Sequence, residues 1–370
     1  MANPATFWLT APSRFATLKP GQARLVLLGA AALLLACLTA LFVPDPPALG
    51  AATGGARNQT DLMLYETIVS GIKGGGNYYA VAADALRAGS YPLRPFLTFR
   101  MPGLAMMLAA LPDWAPRYLL YLLVFCTGFA WAARLKPALP RIVPVIAFAI
   151  LLLGSLLAFF QADLAAFHEI WAGLLVAWSL ALRKPGRWVE AVAVGLLAML
   201  IRETAALYAV IMMVFAWLEG ERRESIGWAT ALALFAVALG VHAYAVTGVT
   251  GPLDPASPGW AGLQGFGLFV KAITLATALQ MLPLWEGALL AGLALFGWAS
   301  WNDPMGLRMT AILAAYAAVI GIFARLDTFY WGLMVAPVFL VGLVFVPDAL
   351  RDLFRQSLDK RRITVTRVVR

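Results

Sequence analysis

Apolar residues along this chain come in long unbroken runs separated by short polar segments. The runs are about 14–22 residues long, and a helix needs about 20 apolar residues to cross a bilayer. Strands of a membrane barrel would instead alternate between apolar and polar positions, which these runs do not do. The pattern therefore predicts an all-α integral membrane protein, with residues 1–370 forming a single polytopic membrane domain.

We predict ten transmembrane helices from the longest runs. They cover residues 23–43, 117–134, 141–160, 166–182, 188–201, 204–218, 226–247, 285–301, 309–323 and 330–347. Two further stretches, 101–111 and 266–282, are left out because the first is short and bounded by prolines and the second is interrupted by polar residues. Both are expected to be helices that lie in the membrane interface.

Charge patterning sets the predicted orientation. The chain has 62% hydrophobic and 13% charged residues, a net charge of +9 and a mean hydropathy of +0.81. With a cytoplasmic N-terminus, the ten spans place 19 of the 28 Lys and Arg residues on the cytoplasmic side, as the positive-inside rule requires. We therefore predict a multi-pass membrane protein with both termini in the cytoplasm. Residues 348–370 are expected to form a basic cytoplasmic tail that touches anionic lipid headgroups.

The first outer loop, about residues 44–116, is the longest segment without a predicted span. An amphipathic helix is predicted to begin at Asp61 and to end at the glycines 74–76, and a second helix runs from Tyr78 to Arg87. The segment that follows, "SYPLRPFLTFRMPG", is expected to have an extended backbone because of its prolines, and it leads into an interfacial helix. Basic side chains on such helices are placed to bind an anionic lipid headgroup. The glycines do not form a nucleotide-binding loop, since they lack the GxxxxGK[ST] pattern.

Arg202 and Glu203 lie in the middle of a 31-residue apolar stretch, 188–218, which is too long for one span. We predict two short helices that meet at the outer face, with this pair at membrane depth. Ionisable residues there are expensive to keep and therefore indicate function. The alternative is a local ion pair that pins a tight turn between the helices.

Three further features of the outer face carry charge or aromatic rings. His168 and Glu169 begin a predicted helix, and no metal-binding motif accompanies them. Arg325 and Asp327 lie in a short outer hairpin and are a candidate pair for a charged headgroup. The Tyr-Trp pair 330–331 that follows is explained by anchoring in the aromatic belt.

The motifs that stand out are "GGNYYAVAADALRAGSYPL", "FRMPGLAMMLAALP" and "LLAMLIRETAALY". Together with the long loop after the first span, they resemble the GT-C superfamily of integral-membrane glycosyltransferases, in particular its bacterial polyprenol-phosphate-mannose-dependent branch. The resemblance covers the architecture of most of the chain. It implies a GT-C-like fold, a polyprenyl-phosphate-linked sugar as donor and an outer-loop carboxylate as general base.

Asn77 occupies the position where such transferases carry an acid, and an amide is not a base at neutral pH. The base is therefore expected to be another outer-loop carboxylate. Glu66 is favoured because it follows Tyr65 directly, and Asp61 and Asp84 are the other candidates. That carboxylate would deprotonate the acceptor hydroxyl while arginines stabilise the departing phosphate. The predicted substrate-binding residues are Asn77, Tyr78, Tyr79, Arg94, Arg100, His168, Glu169, Arg202, Glu203, Arg325 and Asp327.

The predicted function is transfer of a sugar from a polyprenyl phosphate to a glycan or lipid acceptor on the outer face of the inner membrane. Two other classes stay open: a transporter or flippase for a lipid-linked glycan, and a non-catalytic assembly partner of glycan synthesis, which Asn77 favours. The expected partners are the lipid-linked sugar, the acceptor and membrane lipids, without nucleic acid. No cofactor and no metal site is predicted, since Cys37 and Cys126 both lie in apolar runs.

Overall fold

The structure is a computed structural model, and it describes residues 8–46, 61–259 and 261–358. Within these ranges the chain forms fourteen α-helices joined by short 3-10 helices, and it forms no strand. The helices are α1 (Pro20–Cys37), α2 (Asp61–Lys73), α3 (Tyr78–Ala88), α4 (Pro102–Ala110), α5 (Ala115–Leu135), α6 (Ile142–Leu156), α7 (His168–Leu182), α8 (Val189–Ile201), α9 (Ala206–Leu218), α10 (Arg222–Thr247), α11 (Gly265–Ala276), α12 (Leu284–Ser300), α13 (Pro304–Phe323) and α14 (Val346–Ser357).

Five helical segments among the described residues are long and apolar enough to cross a bilayer, which indicates a multi-pass membrane protein. They are Pro20–Phe42, Ala115–Ala138, Ile142–Phe160, Arg222–Thr247 and Pro304–Phe323. A sixth candidate is the pair Leu326–Met334 and Ala336–Ser357, which bends by 64° at its break. The other four predicted spans fall on the shorter apolar helices α7, α8, α9 and α12. The count of ten spans therefore stays a prediction.

Helix α7 lies at the centre of the protein, and nearly all of its side chains are buried. It packs against α5, α8 and the 3-10 helix Leu326–Met334. Gly173 makes the last contact possible, because a Cβ at this position would lie 2.2 Å from the carbonyl oxygen of Leu333. This close approach fixes the segment that carries Tyr330 and Trp331 against the start of α7.

The stretch 266–282 differs from its prediction as an interfacial helix. It forms α11, in which every residue from Gly267 to Thr274 is buried between α12, α13 and the 3-10 helix Leu326–Met334. Lys271, whose charge suggested an exposed position, donates to the carbonyl oxygen of Val43 at 2.6 Å and pairs with Asp45 at 2.7 Å. Satisfying the ammonium group within the protein is what allows this helix to be buried.

The helices predicted within the outer loop are present as α2, α3 and α4. Gly75, with φ +90°, ends the turn after α2, and Gly89 caps α3. The buried face of α2 is formed by Leu64, Tyr65 and Ile68. The part of the predicted loop from 47 to 60 lies outside the described residues.

Two clusters of buried and partly buried charges lie at opposite ends of the bundle. The Arg202 cluster contains Tyr65, Arg100, Glu169, Arg202 and Glu203. The Arg308 cluster contains Arg183, Glu219, Glu224 and Arg308. Helix α7 runs from one cluster to the other over 15 residues, which corresponds to about 22 Å. The two clusters are therefore far enough apart to lie near the two ends of a helix bundle.

The C-terminal segment is partly folded, which corrects the expectation of a solvated tail from residue 348. Helix α14 packs on α1, and two buried carboxylates on it hold the N-terminal segment. Asp348 accepts from the backbone N–H of Leu9 at 2.7 Å, and Asp352 accepts from that of Ser13 at 2.9 Å. The rest of the predicted tail, 359–370, lies outside the described residues.

Candidate functional site

A cavity of about 390 Å³ opens at the end of the bundle that holds the Arg202 cluster. Its walls come from the start of α2, the extended segment after α3, the break between α8 and α9, and the end of α13 with the 3-10 helix that follows. The volume is within the range typical of small-molecule sites, about 300–1,000 Å³. Its charged lining residues are Arg100, Arg202, Arg325, Asp61, Glu203 and Asp327.

Arg202 lies on the floor of the cavity and is 1% exposed. The chain leaves helical geometry here, at φ −139° and ψ 113°, as predicted for the junction of two short helices. The Nε atom lies 2.7 Å from Oε1 of Glu169, NH1 donates to Glu203, and the guanidinium lies 5.7 Å from the centre of the Trp331 ring. The contact with Glu169 is an ion pair by distance but lacks hydrogen-bond alignment. Two carboxylates thus compensate one buried cation.

Arg100 extends from the segment before α4 toward the same floor. Its Nε donates to the hydroxyl oxygen of Tyr65 at 3.0 Å, and its NH1 lies 3.5 Å from Glu203. Burial raises the pKa of Tyr65 to about 12, so this hydroxyl stays protonated at neutral pH. The other N–H groups of Arg100 have no hydrogen-bond partner among the described residues. They are available to a ligand.

Asp61, the first residue of α2, accepts a hydrogen bond from the hydroxyl of Tyr330 at 2.8 Å. In the part of the chain that the structure describes, no Lys or Arg pairs with Asp61. The other two cavity carboxylates differ, because Glu203 lies between two arginines and Asp327 is held by Arg325. Asp61 is therefore the one cavity carboxylate that no described Lys or Arg neutralises.

Arg325 and Asp327 form a bidentate pair at the cavity rim, with Nε–Oδ1 and NH2–Oδ2 distances of 3.1 and 3.0 Å. The pair is partly exposed, and the backbone N–H of Arg325 donates to the hydroxyl of Thr328 at 2.9 Å. The structure thus brings this predicted headgroup pair into the same cavity as Arg100 and Arg202.

Besides Arg202, whose Nε is unpaired, two cavity residues carry buried polar atoms that make no hydrogen bond to a described residue. The Oγ1 atom of Thr204 and the Nε1 atom of Trp331 make no hydrogen bond to any described residue. Buried polar atoms in folded proteins are nearly always paired. These two atoms are suited to hydrogen-bond the hydroxyl groups of a bound ligand.

His168 and Glu169 lie behind the cavity wall rather than on it. Glu169 is fully buried against Arg202, and His168 is 3% exposed with its ring 5.0 Å from that of Tyr65. His168 lines a small apolar pocket beside the cavity. Both residues were predicted to bind substrate directly. In the structure, Glu169 contacts Arg202 and His168 contacts Tyr65.

The favoured catalytic residue, Glu66, is exposed and does not line the cavity. It follows Tyr65 by one residue and therefore lies about 100° around the helix axis from it, whereas Asp61 precedes Tyr65 by one helical turn and shares its face. Asp84 is also outside the cavity, with an 81% exposed side chain 3.5 Å from Arg87. Of the three candidate carboxylates, Asp61 is the one that lines the cavity.

Four other predicted binding residues also lie off the cavity. Asn77 is the N-cap of α3, accepting from the backbone N–H of Tyr79 at 3.0 Å. The hydroxyl of Tyr79 lies 3.2 Å from Nδ1 of His242, and that of Tyr78 donates to the carbonyl oxygen of Arg100. Arg94 is exposed, and its Nε donates to a backbone carbonyl. These residues cap or hold the outer-loop helices, and Tyr78 also binds the backbone of Arg100.

A loop segment, residues 248–257, forms one side of the cavity and contributes Ser257 to its lining. It is tied to the segment after α3 by the backbone N–H of Ser257, which donates to the backbone carbonyl oxygen of Arg94 at 2.7 Å. Arg87 donates to both carboxylate oxygens of Asp254, at 3.0 and 2.8 Å. These hydrogen bonds lower the pKa of Asp254 to about 2. The ion pair therefore holds the segment in place at neutral pH.

Among the cavity residues that sequence reasoning missed, Tyr65, Thr204 and Tyr330 carry hydroxyl groups next to the predicted charges. The i to i+4 spacing from Asp61 to Tyr65 was a usable signal. Tyr330 was assigned to an aromatic belt, yet it is 4% exposed and binds Asp61. No pattern in the sequence joins residues 269 positions apart, so this contact needed the fold.

No protein-family model, curated protein or solved structure matches this chain. Among the described residues, no three His, Cys, Asp or Glu side chains are grouped closely enough to hold a metal ion. The cavity chemistry is the remaining guide to function.

Proposed function

We propose that this chain is a GT-C-like membrane glycosyltransferase. It moves a sugar from a polyprenyl-phosphate donor to a hydroxyl of a glycan or lipid acceptor, at the outer face of the bacterial inner membrane. The cavity end is then the outer side, and the Arg308 cluster and both termini lie on the cytoplasmic side. The proposal joins the sequence resemblance to the chemistry that surrounds the cavity.

The observation that carries the proposal is the position of Asp61 in the cavity, unpaired with any described cation. A general base must be ionised, close to the reacting group and not already neutralised by a cation. Asp61 lines the cavity, is held by one hydrogen bond from Tyr330, and has no cationic partner among the described residues. It supplies the outer-loop carboxylate that Asn77 does not.

Arg100 is the candidate phosphate ligand. Its guanidinium keeps free N–H groups, and its 3.5 Å contact with Glu203 is loose enough to be exchanged for a phosphate oxygen. The rim beside it is apolar where Leu97, Val319 and Phe323 line the cavity. Phe323 is the last residue of α13 and is 45% exposed, so a lipid chain can lie against it.

The reaction we propose is a single displacement. Asp61 takes the proton of the acceptor hydroxyl, whose oxygen then forms a bond to the anomeric carbon of the sugar. The bond from that carbon to the phosphate oxygen breaks, and its electron pair leaves on the phosphate. Arg100 stabilises the charge that develops there.

The test is transfer of labelled sugar from polyprenyl phosphate by the purified full chain, using acceptor-containing lipid extracts from a strain that lacks the gene. Asp61→Asn keeps the shape of the side chain and its contact with Tyr330 but removes the base, so the rate should fall about a hundredfold to ten-thousandfold. Glu66→Gln is the matched control on the same helix and should retain the wild-type rate.

Full activity in the Asp61→Asn variant would contradict the assignment of the base. Wild-type protein that moves intact lipid-linked glycan across vesicles, without any transfer, would instead support the transporter alternative. Binding without transfer or transport would support the assembly-partner alternative.

A further inference from the structure

The charges that line the cavity cancel, because three arginines face three carboxylates. Glu169 is an additional carboxylate that the lining does not include. It is 0% exposed and lies 2.7 Å from the Nε atom of Arg202. Counting this residue, the cavity and its immediate support carry one net negative charge.

The contact between Glu169 and Arg202 is unlike an ordinary structural ion pair. Neither carboxylate oxygen of Glu169 makes a hydrogen bond to any described residue, and the Nε atom of Arg202 makes none either. Arg202 already has Glu203 as a second carboxylate partner. Arg202 shares Glu203 with Arg100, so Glu169 brings the buried pairs to two cations and two carboxylates, and its charge lies directly behind the cavity floor.

We propose that Glu169 sets the electrostatic potential inside the cavity and so determines how strongly the cavity favours or rejects anionic groups. It acts through Arg202 and does not touch the ligand. Because the surroundings are apolar, a charge one side chain behind the wall is screened far less than it would be in water. In the wild type, Glu169 offsets Arg202 and keeps a bound phosphate from being held too tightly to leave.

The meaning of this inference for catalysis rests on the proposed function, but its test does not. We would place a single reporter cysteine in the cavity with Ser257→Cys, in a full-length chain that also carries Cys37→Ala and Cys126→Ala. The reporter is reacted with a negatively charged sulfonatoethyl and a positively charged trimethylammonioethyl methanethiosulfonate. The ratio of the two rates reports the local potential without any substrate.

Glu169→Gln should raise the anionic-to-cationic rate ratio about tenfold, since removing the charge speeds one reagent and slows the other. Glu169→Asp should keep the wild-type ratio, and so should the exposed control Glu66→Gln. An unchanged ratio in Glu169→Gln overturns the proposal. So does a similar increase in both rates, because that is the sign of a loosened structure rather than of an altered potential.

A second variant keeps the test decisive where Glu169→Gln alone does not fold. Changing Glu169 and Arg202 to Gln together removes both buried charges, and the rate ratio should stay at the wild-type value. A fall in the ratio would mean that Arg202 influences the cavity and Glu169 does not, which overturns the proposal. The reagent-rate ratios of the single and double variants do not depend on the transferase assay, so they remain valid if no sugar transfer is detected.

Discussion

The two buried charge clusters are built from the same residue types but differ in what surrounds them. In the Arg308 cluster, Arg183 donates to Glu224 through Nε and NH2, and Arg308 donates to Glu219 through NH1 and NH2. Both arginines share Glu219, which joins α13 to the junction of α7 and α8. Neither of the cavities described here reaches this cluster.

The Arg202 cluster instead faces open space. It keeps a loose contact between Arg100 and Glu203. The cavity around it adds Asp61, a carboxylate without a cationic partner among the described residues, and Thr204, whose hydroxyl is unpaired. A closed network stabilises the contacts between helices, whereas a partly unsatisfied one that lines a cavity is suited to binding. Among the described residues, each cluster keeps one unpaired arginine Nε, in Arg202 and in Arg308, so what separates the two clusters is that the Arg202 cluster lines a cavity and the Arg308 cluster does not.

The largest expected effect on stability follows from breaking the closed cluster. Arg183→Ala leaves Glu224, which is 0% exposed, without its bidentate partner. Removing one member of a buried ion pair typically costs about 3–5 kcal/mol. Denaturant unfolding in detergent should show this loss, while Arg325→Ala at the partly exposed rim should cost about 1 kcal/mol or less. Equal losses in the two variants would remove the distinction between the clusters.

The next effect concerns binding at the open cluster. Charge-assisted hydrogen bonds are worth about 1.5–3 kcal/mol, so Arg100→Ala should weaken binding of polyprenyl phosphate about tenfold or more. Thermophoresis of the labelled protein with the lipid phosphate in micelles measures this directly. Arg94→Ala is the control, because Arg94 belongs to the same segment but is exposed and lies off the cavity. Equal weakening by both changes would indicate a diffuse surface attraction instead of a site.

The smallest effect concerns the segment 248–257. The folded-state pKa of Asp254 is lowered to about 2, below the usual value of about 3.9. Its ion pair with Arg87 therefore stabilises the segment above about pH 4, and that contribution is lost as the pH falls toward 2. Hydrogen exchange of these amides should be faster in Asp254→Asn than in the wild type at pH 6, and the difference should vanish near pH 2. A difference that persists there would exclude this carboxylate as the cause.

Much of the fold was predictable because apolar runs and glycine breaks act locally. The junction at Arg202, the helix ending before Gly75 and the start of α3 at Tyr78 were all placed from the sequence. Helix α11 was assigned to the membrane interface because the contacts that satisfy Lys271 come from residues more than 220 positions away. Local pattern carries no information about such partners.

Only part of the site was predicted, because its residues come together through contacts between distant parts of the chain. Arg100, Arg202 and Glu203 were expected in one cavity, and the structure places them there, whereas Arg94 lies outside it. Asp61 lines the cavity and the favoured Glu66 does not, because helix phase relative to Arg100 and Tyr330 decides which carboxylate reaches the cavity. The phase of the helix is set by its packing against the rest of the protein. It cannot be read from the fact that Glu66 follows Tyr65 in the sequence.

The most direct test of the central claim is a paired measurement on Asp61→Asn and Arg183→Ala. For each variant, the rate of sugar transfer per folded molecule is measured in the same preparation as the free energy of unfolding. The account predicts that Asp61→Asn keeps wild-type stability and loses transfer about a hundredfold or more, while Arg183→Ala loses stability and keeps transfer in the molecules that remain folded. Transfer that survives in Asp61→Asn, or that is lost in folded Arg183→Ala, would contradict it.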